Sequence, residues 1–349
     1  MSSKCGPDIN ENGLVLFLDA ANRLSYPGSG TAWSDLSGNS NTGTLTNGPT
    51  FSAGNMGSIL FDGTNDYITV NTPERFKMEK RNFTLEAVVK QNTTSAHCIL
   101  ESRGSNLAGY LWVLNHGTPG RMSLFYNNSA SQSVHYQNGE FLANATGQYY
   151  HLAAQVDRTN QSIKFYINGA RVGTDVKLQH GDSISPFDTD FYHIGFDRGG
   201  SPFNGEIPVF KHYDKLLTPT EIYKNYKKYK TLYALASPGF GRTPDNYATS
   251  GIQIRQQNAS AASGFYWINP QNSLAKPIYV YVDFDYRAGE AWVLVQSNRI
   301  DTQSLINSYE AIETYRFIEV TLNGENYSII GIRDNEPLKR ELKKQTRSK

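Results

Sequence analysis

Few residues of this chain are spaced to do chemistry together. The clearest pair of acids is Asp283-Phe-Asp285, which alternation along a strand would place on one face. A retaining glycosidase needs an acid and a nucleophile about 5 Å apart. The solvent face of an edge hairpin explains the same pattern, and no Glu-x-Asp-x-Glu or Glu-x-Asp-x-x-Glu run accompanies it. The histidines His97, His116, His135, His151, His180, His193 and His212 are scattered, and none forms a short metal-ligand pair. Gly-x-Ser-x-Gly, His-Glu-x-x-His and a phosphate loop are missing, and Gly239-Phe-Gly241 lacks the strand–loop–helix setting of a phosphate site. No catalytic residue is expected.

Three sets of residues suit binding instead. Tyr110 and Trp112 share one face of a strand, and Tyr126 lies on the next strand, so these rings either stack on sugar or fill a core. Asp19, Asp62 and Asp66 could ligate a hard cation, or could cap turns by accepting backbone N–H bonds. Tyr223, Tyr226, Tyr229 and Tyr233 recur at three- and four-residue steps and form one helical stripe. That stripe docks either on its own domain or on a partner, with Lys224, Lys227, Lys228 and Lys230 covering the rest of the helix.

The bulk composition frames these candidates. The chain has 349 residues, is 38% hydrophobic and 12% aromatic, and so can build more than one core. With 33 Lys+Arg against 32 Asp+Glu, its net charge of +1 gives no general attraction to nucleic acid or to an anionic membrane. No apolar run approaches the roughly 20 residues of a membrane span, and the first residues lack an apolar signal core, so synthesis in a cytosol is expected. Cys5 and Cys98 do not make a disulfide framework, and Cys98 reads as a small buried hydrophobe.

The elements that must position these residues are mostly strands. Phe83, Leu85, Ala87 and Val89 alternate toward one side. Ile163–Ile167 runs into Asn168-Gly169, a type I′ hairpin signal, and returns through Arg171. Residues 109–115 and 121–127 form another antiparallel pair around Gly117-Thr-Pro-Gly120. Thr218-Pro-Thr-Glu221 is a capping box that opens the one clear helix. The Pro-, Gly- and Ser-rich stretch 234–251 reads as a linker. Four more strand candidates follow, near 278–286, 291–296, 316–322 and 327–333, and a basic tail closes the chain. The expected organisation is an arm (1–12), a sandwich with its closing helix (13–233), a linker (234–251), a small β-rich domain (252–337) and the tail (338–349).

The order of motifs over residues 13–230 resembles the laminin G-like branch of the concanavalin A-like lectin/glucanase superfamily. The matching residues are the opening strand to Asp19, Trp33/Asp35/Ser37-Gly38, Phe61-Asp-Gly63 with Asp66-Tyr67, Tyr150-His-Leu152, Asn168-Gly169 and Phe203-Asn-Gly205. The resemblance implies an all-β fold: an antiparallel two-sheet jelly-roll sandwich, followed here by an amphipathic helix and a second small β-rich domain. It implies carbohydrate or protein binding, and in some members a structural calcium. Pro208 stands near where many relatives place an acidic residue, which weakens the calcium expectation for Asp19, Asp62 and Asp66. The wording Ser25-Tyr-Pro-Gly-Ser-Gly30 followed by Trp33-Ser-Asp-Leu-Ser-Gly38 is similar to versions on structural proteins of tailed bacteriophages. Ser263-Gly-Phe-Tyr-Trp-Ile-Asn-Pro270 with Tyr279–Asp283 and Trp292–Gln296 resembles the start of a fibrinogen-related domain, with Val282 where that family has a half-cystine. The resulting expectation is a non-enzymatic virion protein of a bacteriophage, made in the host cytoplasm: a decoration, fibre or adhesin. It would contact other virion proteins, form a homo-oligomer and recognise a surface glycan weakly. The alternative is a free carbohydrate-binding protein or a glycoside hydrolase with an atypical site.

Overall fold

In a computed structural model of the chain, the described residues are 10–70, 76–78, 81–103, 108–127, 134–137, 142, 146–178, 192–269, 276–285, 291–296, 316–322 and 325–332. The chain divides into two compact units, Met1–Ser237 and Pro238–Lys349.

The first unit is a sandwich of two antiparallel sheets. Its strands are β1 (Leu14–Asp19), β2 (Ala32–Trp33), β3 (Gly43–Thr46), β4 (Thr50–Ser52), β5 (Ser58–Asp62), β6 (Tyr67–Val70), β7 (Phe83–Gln91) and β8 (His97–Glu101). The series continues with β9 (Gly109–Leu114), β10 (Met122–Asn127), β11 (Val134–Tyr136), β12 (Tyr149–Asp157), β13 (Ser162–Ile167), β14 (Ala170–Lys177), β15 (His193–Ile194) and β16 (Asn204–Tyr213). Sheet one has the order β14-β13-β12-β7-β16-β5-β4, with β1 also paired to β16; sheet two has the order β11-β10-β9-β8-β15-β6-β3-β2. This is the antiparallel jelly-roll sandwich that the resemblance implies.

Alternation decides what the sheets share. Phe83, Leu85, Ala87 and Val89 of β7 point inward, as their spacing predicts, and meet Tyr110, Trp112 and Leu124 of sheet two in one core. The hairpin of β13 and β14 turns through Asn168 and Gly169, both at positive φ, as a type I′ turn requires. Gly169 has a second duty: a Cβ there would sit 2.9 Å from Tyr226 Cβ, so the helix could not close down on the hairpin. Pro208 lies at a register shift between β16 and β7, where its missing N–H costs no ladder bond.

Helix α1 (Pro219–Lys230) covers the outer face of sheet one. Its capping box forms, with Thr218 Oγ1 accepting from the Glu221 N–H and Glu221 accepting from the Thr218 N–H. Tyr226, Tyr229 and Tyr233 are buried against Phe17, Val88, Tyr149 and Tyr166, and Tyr223 is half-buried beside them. The stripe therefore docks on its own sandwich, and three of its four rings are not open to a partner.

The second unit holds a five-stranded antiparallel sheet of β17 (Gly264–Ile268), β18 (Ile278–Asp283), β19 (Trp292–Gln296), β20 (Arg316–Leu322) and β21 (Glu325–Ile332), ordered β17-β18-β19-β21-β20. A short helix, α2 (Gly251–Gln257), capped by Ser250, was not evident from the sequence. Tyr266, Ile268, Val280, Val282 and Phe284 form its core with Ile254. Val282 is thus a core side chain where the fibrinogen-related pattern has a half-cystine. The expected linker is a correction. The division falls after Ser237, and the stretch beyond it is folded into the second unit by Gly241 N–H to Asn246 O, Trp267 N–H to Gly241 O and Ala248 N–H to Trp267 O. The basic tail and Cys5 lie outside the described residues.

Candidate functional site: the outer face of the second sheet

Tyr110 and Trp112 are fully buried and Tyr126 is 5% exposed, all three within the core between the sheets. Tyr110 donates to Phe76 O (3.0 Å) and Tyr126 to Met78 O (3.3 Å). Burial pushes both the Tyr110 and the Tyr192 hydroxyls well above the usual phenol range. These rings are therefore core residues and offer no face to a sugar. The reason is parity: β9 is apolar on both sides, so its sequence cannot say which side meets the other sheet.

The carboxylates considered for a cation do not converge. Asp19 is buried on the helix side of sheet one, accepts from the Ala21 N–H and lies 3.5 Å from the Tyr229 hydroxyl; burial raises its pKa. Asp62 and Asp66 belong to the β5–β6 turn, where Asp62 caps the Thr64 N–H and Asp66 accepts from the Asp62 N–H. Their capping role is the one observed. Among the described residues no group of three or more His, Cys, Asp or Glu could hold a metal ion. Asp283 and Asp285 are joined by Ser263 Oγ, at 3.4 and 2.6 Å, at the end of β18.

What sheet two presents outward is more informative. On β8 a bulge at Ile99 keeps Cys98 and Glu101 on the same face, opposite Val113 and Leu111 of β9. Cys98, Leu111 and Val113, with Phe125 of β10 and Ala96, form a small apolar cluster separate from the main core. Burial, with Asp197 and Glu101 nearby, pushes the Cys98 thiol far above its ordinary pKa, so it is no nucleophile.

An ionic network sits on this cluster. Arg103 reaches Glu101 through Nη2 (2.9 Å) and Nε (3.1 Å), and Asp197 at 3.8 Å. Glu101 also accepts from the Arg198 N–H (2.8 Å), and Asp197 accepts from the Ser201 N–H (2.6 Å). Glu101, Asp197 and Arg103 are buried, while the Arg198 side chain is 37% exposed. The Arg198 guanidinium is held against the network, with Nη2 donating to the Arg103 carbonyl oxygen (2.7 Å) and Nε 3.9 Å from Glu101.

Aromatic groups flank the network on both sides. Toward β6, Tyr67 stacks on Phe196 (5.8 Å) and contacts His193 (4.6 Å). Burial and the nearby Arg198 charge push His193 down to about 4, so it is neutral at physiological pH. Toward β11, Arg121 lies 4.2 Å above the Tyr136 ring, His116 stacks on Tyr136 at 5.7 Å, and Tyr136 is 37% exposed. Six strands from β6 to β11 make this face about 24 Å wide. Of these residues only Tyr67 stood within a sequence motif. The β8–β15 pairing brings Glu101 beside His193 and the following Asp197 and Arg198 across about a hundred residues of chain.

Residues 62–223 match a laminin G-type family model described as concanavalin A-like lectin/glucanases superfamily. No curated protein matches the chain. Among solved structures, the binding domain of Paraclostridial Mosquitocidal Protein 1 is 12% identical, with 93% of this chain and 88% of that one covered and a TM-score of 0.50. The binding domain of botulinum neurotoxin serotype D is 13% identical, with 94% and 80% covered and a TM-score of 0.50. Domain 4 of AbnA, a GH43 arabinanase from Geobacillus stearothermophilus in complex with arabinotriose, is 21% identical over 60% of this chain and 96% of that one, with a TM-score of 0.44. At 12% and 13% identity the likeness to the two binding domains is one of fold. The sandwich is lectin-like.

Proposed function

We propose that this chain is a non-enzymatic recognition protein that binds an extended glycan across the outer face of its second sheet. The observation that carries the reading is the arrangement on that face, where partly exposed rings at Tyr67 and Tyr136 flank the partly exposed side chain of Arg198. Rings stack on the apolar faces of sugars, and guanidinium N–H groups bond hydroxyls and carboxylates. A face about 24 Å wide accommodates several linked sugar rings. The binding domains that share its fold support the reading as analogy only.

A hydrolase fits this face less well. Glu101 and Asp197 are its two neighbouring acids, and both are buried and held by Arg103 and by backbone N–H groups. A general acid must reach the substrate, and these carboxylates are turned inward onto Arg103 and backbone N–H groups. The phage-like wording of residues 25–38 supports display on a tailed-phage particle, with the second unit attaching or oligomerising the chain.

A glycan array with the full chain tests binding, and Tyr136→Ala and Arg198→Ala should each weaken an observed interaction about tenfold, which corresponds to about 1.4 kcal/mol. Binding unchanged in both variants would sink the assignment of this face. Mass spectrometry of purified particles tests the virion location, and absence of the chain would remove it.

A further inference from the structure

We infer that Lys211 and Asn225 are the two halves of an internal amide cross-link between β16 and α1, formed with Glu86 of β7 as the proton carrier. The three side chains come from three elements and meet beneath the helix, with Glu86 1% exposed and Lys211 and Asn225 fully buried. One carboxylate oxygen serves both reactants: Glu86 Oε2 accepts from Asn225 Nδ2 at 2.7 Å and from Lys211 Nζ at 3.4 Å. The surroundings exclude water. Lys211 Nζ lies 4.8 Å from the Tyr229 ring and 5.6 Å from Phe17, within the apolar cluster that seats the helix.

As a plain structural ion pair this arrangement is hard to justify. A lysine and a glutamate fully removed from water lose their hydration, and apolar residues of similar volume would commonly be more stable. As a reaction site each feature has a use. Burial lowers the Lys211 pKa and so favours the amine, which is the nucleophile, while Glu86 and Asp19 oppose that shift. Asn225 Oδ1, which would carry negative charge in the tetrahedral state, faces the backbone N–H of Asn10 at 3.4 Å. The other groups at the site are His151, whose Nε2 lies 3.5 Å from Glu86 Oε1, and Tyr213, whose hydroxyl accepts from Asn225 Nδ2 at 3.1 Å.

The step balances without any other reactant. Lys211 Nζ attacks Cγ of Asn225 and a C–N bond forms. Glu86 takes a proton from Nζ and delivers it to Nδ2. The Cγ–Nδ2 bond breaks, and that nitrogen leaves as ammonia. Glu86 ends as it began, and nothing is oxidised or reduced.

Intact-mass measurement of the purified full chain tests this directly. The expected mass is the sequence mass less one ammonia, and digestion should yield one branched peptide joining the segments that hold Lys211 and Asn225. Glu86→Gln and Lys211→Met should each appear at their own full sequence mass. Three results overturn the inference: wild-type protein at full mass with both residues in linear peptides; loss of ammonia without the branched peptide, which is ring closure at an asparagine; or loss of water, which would join Lys211 to a carboxylate instead. A branched peptide persisting in Glu86→Gln would overturn the role of Glu86. The wild-type mass decides the cross-link even if a variant fails to fold.

Discussion

Acid should weaken the first unit through a single histidine. His212 on β16 is fully buried between the sheets, its Nδ1 2.7 Å from the Tyr192 hydroxyl, among the rings of Phe76, Phe83 and Tyr110. Burial drops its pKa from 6.5 to about 3. The folded state thus binds the proton more weakly than the unfolded state. The stability this represents is fully present above about pH 6.5 and is lost as pH falls toward 3. Each pH unit in that window costs about 1.4 kcal/mol, so a fall to pH ~4.5 removes about 3 kcal/mol. His193, also lowered, acts in the same direction but is only half-buried and is left out of this figure. The lowered carboxylates Glu206, Asp157, Glu86 and Glu221 begin to lose their share only as pH falls past 4.5, at the acid end of this range, and raised Asp19 and Asp66 oppose the loss there. Urea unfolding of wild type and His212→Gln at several pH values checks the claim, since the variant should lack that slope. NMR titration of the His212 ring gives a second readout, neutral at pH ~5. Parallel pH slopes, or a ring that titrates near 6.5, would refute the reasoning.

Other perturbations test the architecture. Ala234 is exposed with φ +48 just past α1, so Ala234→Gly should raise stability by about 1 kcal/mol, seen as a higher Tm. Thr218→Ala removes the N-cap of α1 and should cost about 1 kcal/mol in denaturation midpoints at unchanged m-value. Tyr229→Ala empties a fully buried site under the helix and should cost about 3–5 kcal/mol, checked by the same unfolding curves. Gly205→Ala should prevent soluble folding: φ is +149 there, and a Cβ would collide with the Lys90 carbonyl oxygen. A cooperatively unfolding Gly205→Ala protein would contradict the β16–β7 register.

The sequence announces the strands of this protein more openly than its surfaces. Alternation in Phe83–Val89 and the Asn168-Gly169 turn are local signals, and both elements form as those signals direct. The capping box at Thr218 is equally local. The binding face is different. β9 buries all six of its residues, so hydrophobicity marks both of its sides and cannot choose between Tyr110/Trp112 and Leu111/Val113 as the inward set. Glu101 and Arg198 lie on separate strands and loops, and only the β8–β15 pairing makes them neighbours. The tyrosine stripe was visible, but what it covers was not, because a docking helix looks the same whether its surface is its own chain's or another's. The stretch after Ser237 reads as a linker because its Pro, Gly and Ser content conceals backbone bonds that tie it to β17.

The position of β16 has a consequence for synthesis. It pairs with β7 on one side and with β5 and β1 on the other, so the last strand made is the keystone of sheet one. A chain emerging from the ribosome holds β1 and β5 ready but has nothing to join them to β7 until residues near 213 are out. Closure of the sheet is then a late, long-range event. Until it happens, the exposed edges of β7 and β5 are open to wrong partners.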